Sequence, residues 1–402
     1  MRPSEPSTDS EWQRPGRVLI ALLLLAVFAR AICWPQRPPD MGLFLEPWFA
    51  HIVHHGPIQA FAHPFSNYAP AYLYLLALGS LAHELFTPMA IIKALSVGGS
   101  LFLAFALSRL LKAVGTDGRK ALLVLILPSV IINDALLGQC DALWAGSCIL
   151  ALAEMIRGRT IAAMVWCGVA IAFKAQAAFI APVIIGAMIG RRAPLWQWAV
   201  PAGVFLATLV PPWLLGWPAW KLLTVYFDQA AYVEIAGRLS NPWMFGTVFA
   251  PVAVRDWFVL GYAASGAAAI VIAALAARNW HDGRVLIVLA ALAATALPFL
   301  LPKMLERYYF LGDVMTLALA LCLQRRLAIV AFAAVQAASL LAHVTYIYFY
   351  HEPYPALAGA IIAATGIAAL IRLGLPQLQQ FWGELGPRRW PQVRRLTERA
   401  VG

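Results

Sequence analysis

An all-α protein that threads a membrane many times, folded as a single domain, is the architecture expected of this 402-residue chain. Three observations carry that expectation. Hydrophobic residues make up 62% of the chain and charged residues only 12%, against about a quarter charged in soluble domains. The apolar residues come in long blocks such as 18–29, 122–132, 199–215 and 266–277, suited to spans of about 20 residues. Between the blocks Lys and Arg recur in clusters, as loops kept on the cytoplasmic side require. This composition excludes an ordinary soluble enzyme and a disordered chain.

Hydropathy places about 12 spans along the chain. Residues 1–16 read as a cytoplasmic tail. Its Arg2 and Arg14, with Arg17, precede a first span at 17–34. That span reads as a retained signal-anchor, because its only cleavage-like tripeptide is Ala29-Arg30-Ala31 and many spans follow. Pro35, Pro38 and Pro39 stop the helix. The apolar stretch 68–86 is ambiguous by hydropathy alone. If it crossed, every later basic cluster would change sides. The region 35–88 is therefore expected to be one long outer loop with interfacial helices, carrying Trp48, Tyr68, Tyr72 and Tyr74 at headgroup depth.

Further spans are expected at 89–112, 121–134, 141–156, 160–173, 176–190 and 194–216. Their inner turns carry Arg109, Lys112, Arg119 and Lys120, then Arg157 and Arg159, then Arg191 and Arg192. A second long outer loop, 217–256, holds Asp228, Glu234, Arg238 and Asn241, and loops of this length tend to be functional. Spans at 257–277, 285–301, 307–323, 327–347 and 356–373 follow, with Arg278, Arg284, Arg325 and Arg326 inside. The basic tail 374–402 is expected to lie against the anionic cytoplasmic leaflet. The net charge of +11 thus reads as topology, and no nucleic-acid partner is expected. Cys33, Cys140, Cys148, Cys167 and Cys322 show neither metal spacing nor a disulfide framework and are expected to be inert thiols.

Four polar segments fall on the expected outer side. Asp40 follows the Pro-rich exit of the first span, where a rigidly held carboxylate suits a general base; capping the helix that begins near residue 41 is the plainer alternative. Asn133, Asp134, Gln139 and Asp141 share one short turn, as a polar pocket or as a cap for the next span. Lys174 and Gln176 lie between apolar runs; such a lysine must snorkel or find an anion, because at mid-membrane it would cost about 2.5–3.5 kcal/mol. Lys303, Glu306 and Arg307 place three charges just before a span, where arginine suits planar phosphate recognition and lysine a point charge. His51, His54 and His55 lack a ligand-spaced carboxylate and read as interfacial, so no metal is expected.

These segments together resemble a known family. The run from Asp40 through Phe44, Trp48 and Asn67-Tyr68-Ala69-Pro70-Ala71-Tyr72 is similar to the first outer loop of bacterial integral-membrane glycosyltransferases related to the second mannosyltransferase of GPI-anchor synthesis. Gly138-Gln139-Cys140-Asp141-Ala142 resembles that family's Gly-Gln-x-Asp-Ala motif, and Lys174-x-Gln176 its Lys-x-Gln segment. Met304-Leu305-Glu306-Arg307-Tyr308 resembles Met-His-Glu-Arg-Tyr, with Leu305 in place of the usual histidine. The four motifs keep the family's order across roughly residues 17–350.

The resemblance implies a GT-C-like fold and an inverting transfer of a sugar, mannose foremost, from a polyprenyl-phosphate donor to the hydroxyl of a glycan, lipid or protein acceptor. It implies Asp40 as general base. Arg307, Lys303 and Lys174 would bind the donor phosphate, while Gln139, Asp141, Gln176, Glu306, Asn67 and Tyr68 would bind sugar or acceptor. No cofactor or metal is implied beyond the lipid-linked donor. The expected location is the bacterial inner membrane with the site on the periplasmic side. A multi-pass transporter of a small polar solute or lipid-linked sugar, and a scaffold subunit of an envelope complex, are the alternatives.

Overall fold

A computed structural model describes residues 15–232, 238–250, 257–349 and 351–385. The first 14 residues of the amino-terminal tail, Glu234 in the second long loop, and the basic tail beyond residue 385 lie outside the described residues. The described chain is all-helical, with no strand.

The helices, in order, are α1 (Pro15–Cys33), α2 (Glu46–His55), α3 (Pro70–Ser80), α4 (Pro88–Ala113), α5 (Pro128–Ile131), α6 (Asp141–Ile156), α7 (Thr160–Phe173) and α8 (Ala181–Gly190). They continue with α9 (Val200–Leu215), α10 (Ala219–Tyr232), α11 (Pro242–Phe249), α12 (Phe258–Arg278), α13 (Gly283–Leu300), α14 (Phe310–Leu323), α15 (Arg326–Tyr348) and α16 (Tyr354–Leu385).

Among the described residues, six segments are long and apolar enough to cross a membrane: Pro88–Ala113, Leu195–Leu215, Phe258–Arg278, Gly283–Leu300, Arg326–Tyr348 and Tyr354–Gln377. The protein is therefore a multi-pass membrane protein. The other expected spans are shorter or broken. Residues 121–134 fall across a 3₁₀ segment (Gly118–Ile126), α5 and a π turn (Ile132–Leu136). Pro128 causes the break, since it supplies no N–H and pushes Leu127 into an extended conformation. At 11 residues, α3 reaches about 16 Å, roughly half the hydrocarbon thickness.

The bundle packs α4 on α6, α6 on α7 and α7 on α9, and on its other side α13 on α14, α14 on α15 and α15 on α16. Small residues permit these approaches, as is usual where lipid removes the hydrophobic incentive to associate. Gly186 and Gly190, one turn apart on α8, face the backbone carbonyls of Ala273 and Ala277 on α12, leaving no room for a Cβ. Large apolar side chains on the outside, among them Leu24, Phe28, Leu101, Phe105, Val259, Ile270 and Ile361, suit contact with lipid.

Candidate active site

Asp40 sits where α1 has ended, and its position is enforced from behind. The buried Lys93 of α4 donates to the carbonyl oxygens of Cys33 (3.2 Å), Trp34 (2.8 Å) and Gln36 (2.6 Å). Cys33 O lies in the last turn of α1, where helix carbonyls lack helical partners, and Trp34 and Gln36 lie just beyond it, so one ammonium both caps α1 and fixes the chain leading to Asp40. A π turn, Met41–Leu45, follows directly.

Asp40 does not cap that turn with its side chain. Its carboxylate accepts from Gln139 Nε2 (3.1 Å) at Oδ2 and from the Tyr346 hydroxyl (3.0 Å) at Oδ1. Arg307 Nη1 lies 3.2 Å from Oδ2. The carboxylate is thus committed to partners from three distant segments, and capping was the wrong alternative.

Asp141 opens α6, and it too makes no cap for its own helix. Lys174 Nζ (2.6 Å) and Trp144 Nε1 (2.8 Å) donate to Oδ1, and Asn133 Nδ2 (2.7 Å) donates to Oδ2. Gly138, at φ +66°, lets the chain turn back so that Gln139 N reaches Asn133 O; its missing side chain also makes room for Met41. Behind this turn Arg30 of α1 pairs with Asp134 at 2.8 Å and donates to the Leu125 carbonyl.

Lys174 occupies the break between α7 and the 3₁₀ segment Ala175–Ile180, in an extended conformation. It is 5% exposed and does not snorkel. Besides Asp141 it reaches Gln139 Oε1 (3.4 Å) and lies 5.1 Å over the Tyr68 ring. The Tyr68 hydroxyl donates to the same Gln139 oxygen at 3.3 Å, and desolvation pushes its pKa up to about 12, so it remains a donor at neutral pH.

Arg307 closes the circuit. It pairs with Glu306 Oε1 (2.6 Å) as well as Asp40, and its Nε lies 4.0 Å from Asp141 Oδ2. Burial opposes its charge, but the carboxylates of Glu306 and Asp40 raise its pKa well above the ordinary value and keep it charged. The turn bearing Arg307 is held by the second long loop: Tyr309 donates to Ser240 O (2.7 Å), and Asn241 Nδ2 and Trp243 Nε1 reach Leu301 O and Leu300 O. Asn241 therefore braces the site from outside it.

Asp40, Gln139, Asp141, Lys174, Tyr68, Glu306 and Arg307 form one connected cluster. Three expected residues stand off it. Lys303 lies on the same turn as Arg307, at φ +61°, with no ion pair among the described residues. Gln176 sits beside Tyr308 and leaves its buried Oε1 without a hydrogen bond. Asn67 lines a neighbouring cleft of about 620 Å³ with Trp48, Phe65, Tyr68 and Trp217. The histidines 51 and 55 are structural: His51 bonds the Ala60 carbonyl and stacks on Phe65, and His55 bonds the His51 carbonyl.

Sequence reasoning missed Arg30, Lys93, Tyr346 and His343. The signal for three of them was available, because a lone ionisable residue inside an apolar helix always needs a partner. His343, on α15 one turn before Tyr346, is 1% exposed. Its Nδ1 meets the Ser339 carbonyl at 2.8 Å, which fixes the Nδ1–H tautomer of the neutral ring. In the neutral ring Nε2 is then a buried acceptor without a hydrogen-bond partner among the described residues. Neither a protein-family model nor a curated protein sequence matches this chain.

Proposed function

We propose that this protein is an inverting glycosyltransferase of GT-C-like fold that moves a sugar, mannose foremost, from a polyprenyl-phosphate donor to an acceptor hydroxyl, in a bacterial inner membrane with its site on the periplasmic side. The observation that carries the reading is the Asp40–Arg307 contact of 3.2 Å, which joins a base candidate and a phosphate-binding candidate that lie far apart in sequence.

In this reading the donor phosphate competes with Asp40 and Glu306 for the Arg307 guanidinium. Drawing Arg307 toward the phosphate leaves Asp40 Oδ2 free to take the acceptor proton. The acceptor oxygen bonds to the anomeric carbon from the face opposite the leaving group, the carbon–oxygen bond to the phosphate breaks, and its electron pair leaves on the polyprenyl phosphate. Charge stabilisation by Arg307 serves this leaving group better than protonation would. The reading calls on no metal or cofactor. Gln139 holds Asp40 in register through its amide, and Lys174 holds Asp141 next to Arg307.

Purified protein in nanodiscs, supplied with polyprenyl-phosphate mannose and related donors, tests the reading. Transfer or donor hydrolysis is expected, falling by roughly 10²–10⁴-fold in Asp40→Asn, the usual worth of general-base help. Inactivity with every donor, or undiminished turnover in Asp40→Asn, would overturn it.

A further inference from the structure

At the end of α6 away from the charged cluster, three arginines converge on one buried carboxylate. Asp141 opens α6 and Glu154 lies in its last turn, about 20 Å further along the axis. Arg109 Nη2, from α4, and Arg157 Nη1 each donate to Glu154 Oε1 at 3.3 Å, and Arg159 Nη1 donates to Oε2 at 3.4 Å. Arg157 Nη2 also donates to the Arg109 carbonyl at 3.2 Å. One negative charge thus stands against three positive ones, two of which share a single oxygen and are close enough to repel. A basic face that only fixed topology would be served as well by arginines spread apart, as the positive-inside rule counts charges and not contacts.

The arginines are open to the outside and the carboxylate is not. Side-chain exposure is 37% for Arg109, 22% for Arg157 and 65% for Arg159, against 7% for Glu154. Glu154 is therefore the inner anchor, and the guanidinium groups form the accessible face. Each guanidinium carries five N–H donors. Among the described residues Arg109 and Arg159 each spend one of them and Arg157 two.

We infer that Arg109, Arg157 and Arg159, gathered by Glu154, bind the phosphate of an anionic glycerophospholipid in the cytoplasmic leaflet. Arginine forks match phosphate oxygens in geometry as well as charge. The surroundings favour a lipid over a soluble anion. Leu101 and Phe105 precede Arg109 on α4 at steps of about one turn, and both are exposed. An apolar outer face therefore leads from the arginine into the membrane. Ile161 and Val165 continue in the same way from Arg159 along α7. The Phe102 and Trp166 rings, 5.9 Å apart, tie α4 to α7. A headgroup on the arginines would lay its acyl chains against these side chains.

Native mass spectrometry of the full chain from detergent micelles tests the inference. The probes are phosphatidylglycerol and phosphatidylcholine of the same acyl chains, with sn-glycerol 1-phosphate as the soluble anion. Phosphatidylglycerol is expected to bind more tightly than phosphatidylcholine, and an equal concentration of glycerol phosphate is expected not to displace it. Arg159→Gln, at the most exposed of the three, is expected to weaken binding about 5-fold, the usual worth of one arginine at an anionic leaflet. Adding Arg109→Gln is expected to weaken it further. Arg325→Gln removes the same charge from the exposed start of α15 and is expected to leave binding unchanged.

Equal binding of the two lipids, or an equal loss in Arg325→Gln and Arg159→Gln, would overturn the inference by reducing the face to bulk charge. Displacement by glycerol phosphate would overturn the lipid and leave a soluble-anion site. None of these results depends on sugar transfer.

Discussion

The Lys174–Asp141 pair is buried on both sides, at 6% and 3% side-chain exposure, with 2.6 Å between the charges. Removing one partner of such a pair strands the other charge, at a cost of about 3–5 kcal/mol. The environment makes the two removals unequal. In Lys174→Met, Asp141 keeps neutral donors from Asn133 at 2.7 Å and Trp144 at 2.8 Å, and Arg307 stays 4.0 Å away. At an effective dielectric of 20, two unit charges at that separation attract by about 4 kcal/mol, so the carboxylate is partly compensated. In Asp141→Asn the lysine loses its anion and keeps only uncharged partners, the amide oxygen left at position 141, Gln139 Oε1 at 3.4 Å and the Tyr68 ring at 5.1 Å. Lys174→Met should therefore cost about 3 kcal/mol and Asp141→Asn about 5 kcal/mol. The double variant removes both stranded charges and should fall short of the sum by about 2–3 kcal/mol, a coupling typical of contacting groups. Equilibrium unfolding in mixed micelles across the four proteins measures this. Additivity in the double variant would refute the assignment of this pair as a mutually dependent buried unit, and equal single costs would refute the unequal compensation of its two members.

Two further outcomes test how the site is held in place. Lys93→Met removes the donor to three carbonyls at the end of α1 and should cost about 2–3 kcal/mol, because charged donors are worth roughly twice neutral ones; hydrogen exchange at residues 34–40 should rise, and unchanged exchange there would count against the clamp. Gly138→Ala imposes a side chain at φ +66° against Met41. It should cost about 1–2 kcal/mol from the left-handed backbone alone and lower activity by displacing Gln139 and Asp141, whereas a neutral substitution would mean that this turn does not set their positions.

The four polar segments that stand out in the sequence converge in space, and their legibility has a simple basis. Each interrupts an apolar pattern with several polar residues at once, and a membrane tolerates that only at a boundary or a site. What the sequence does not disclose is the pairing. Lys174 reads as a residue that must snorkel or find an anion, and nothing local supplies one; its anion, Asp141, comes from the start of another helix. For Asp40 the sequence offers a general base or a helix cap, and the cap is the only local solution; its partners Gln139, Arg307 and Tyr346 lie 99 or more residues away. Arg30 and Lys93 are each a single charge in an otherwise apolar stretch of helix, which signals that a partner is needed without saying which residue supplies it. The broken helices were obscured because hydropathy ignores backbone hydrogen bonding, and Pro128 interrupts the helix without lowering the apolar character of the run.

The charge balance of the cluster leads to one more expectation. Asp40, Asp141 and Glu306 bring three carboxylates to two cations, Lys174 and Arg307, and every one of these groups is engaged in an ion pair. A phosphate-bearing donor adds another negative charge to a site already rich in carboxylates, so the transferase reading needs a cation that is not yet committed. Lys303 is the candidate, four residues before Arg307 on the same turn and without an ion pair among the described residues. Its backbone is held at φ +61°, a conformation that costs a non-glycine residue about 1–3 kcal/mol and persists where the surroundings enforce it. Lys303→Met should then raise the donor KM about 5–30-fold, the worth of about 1–2 kcal/mol, and leave folding stability nearly unchanged. Lys303→Arg should restore most of the affinity, because charge matters here more than shape. An unchanged donor KM in Lys303→Met would remove Lys303 from the donor site and leave the donor phosphate to Arg307 alone.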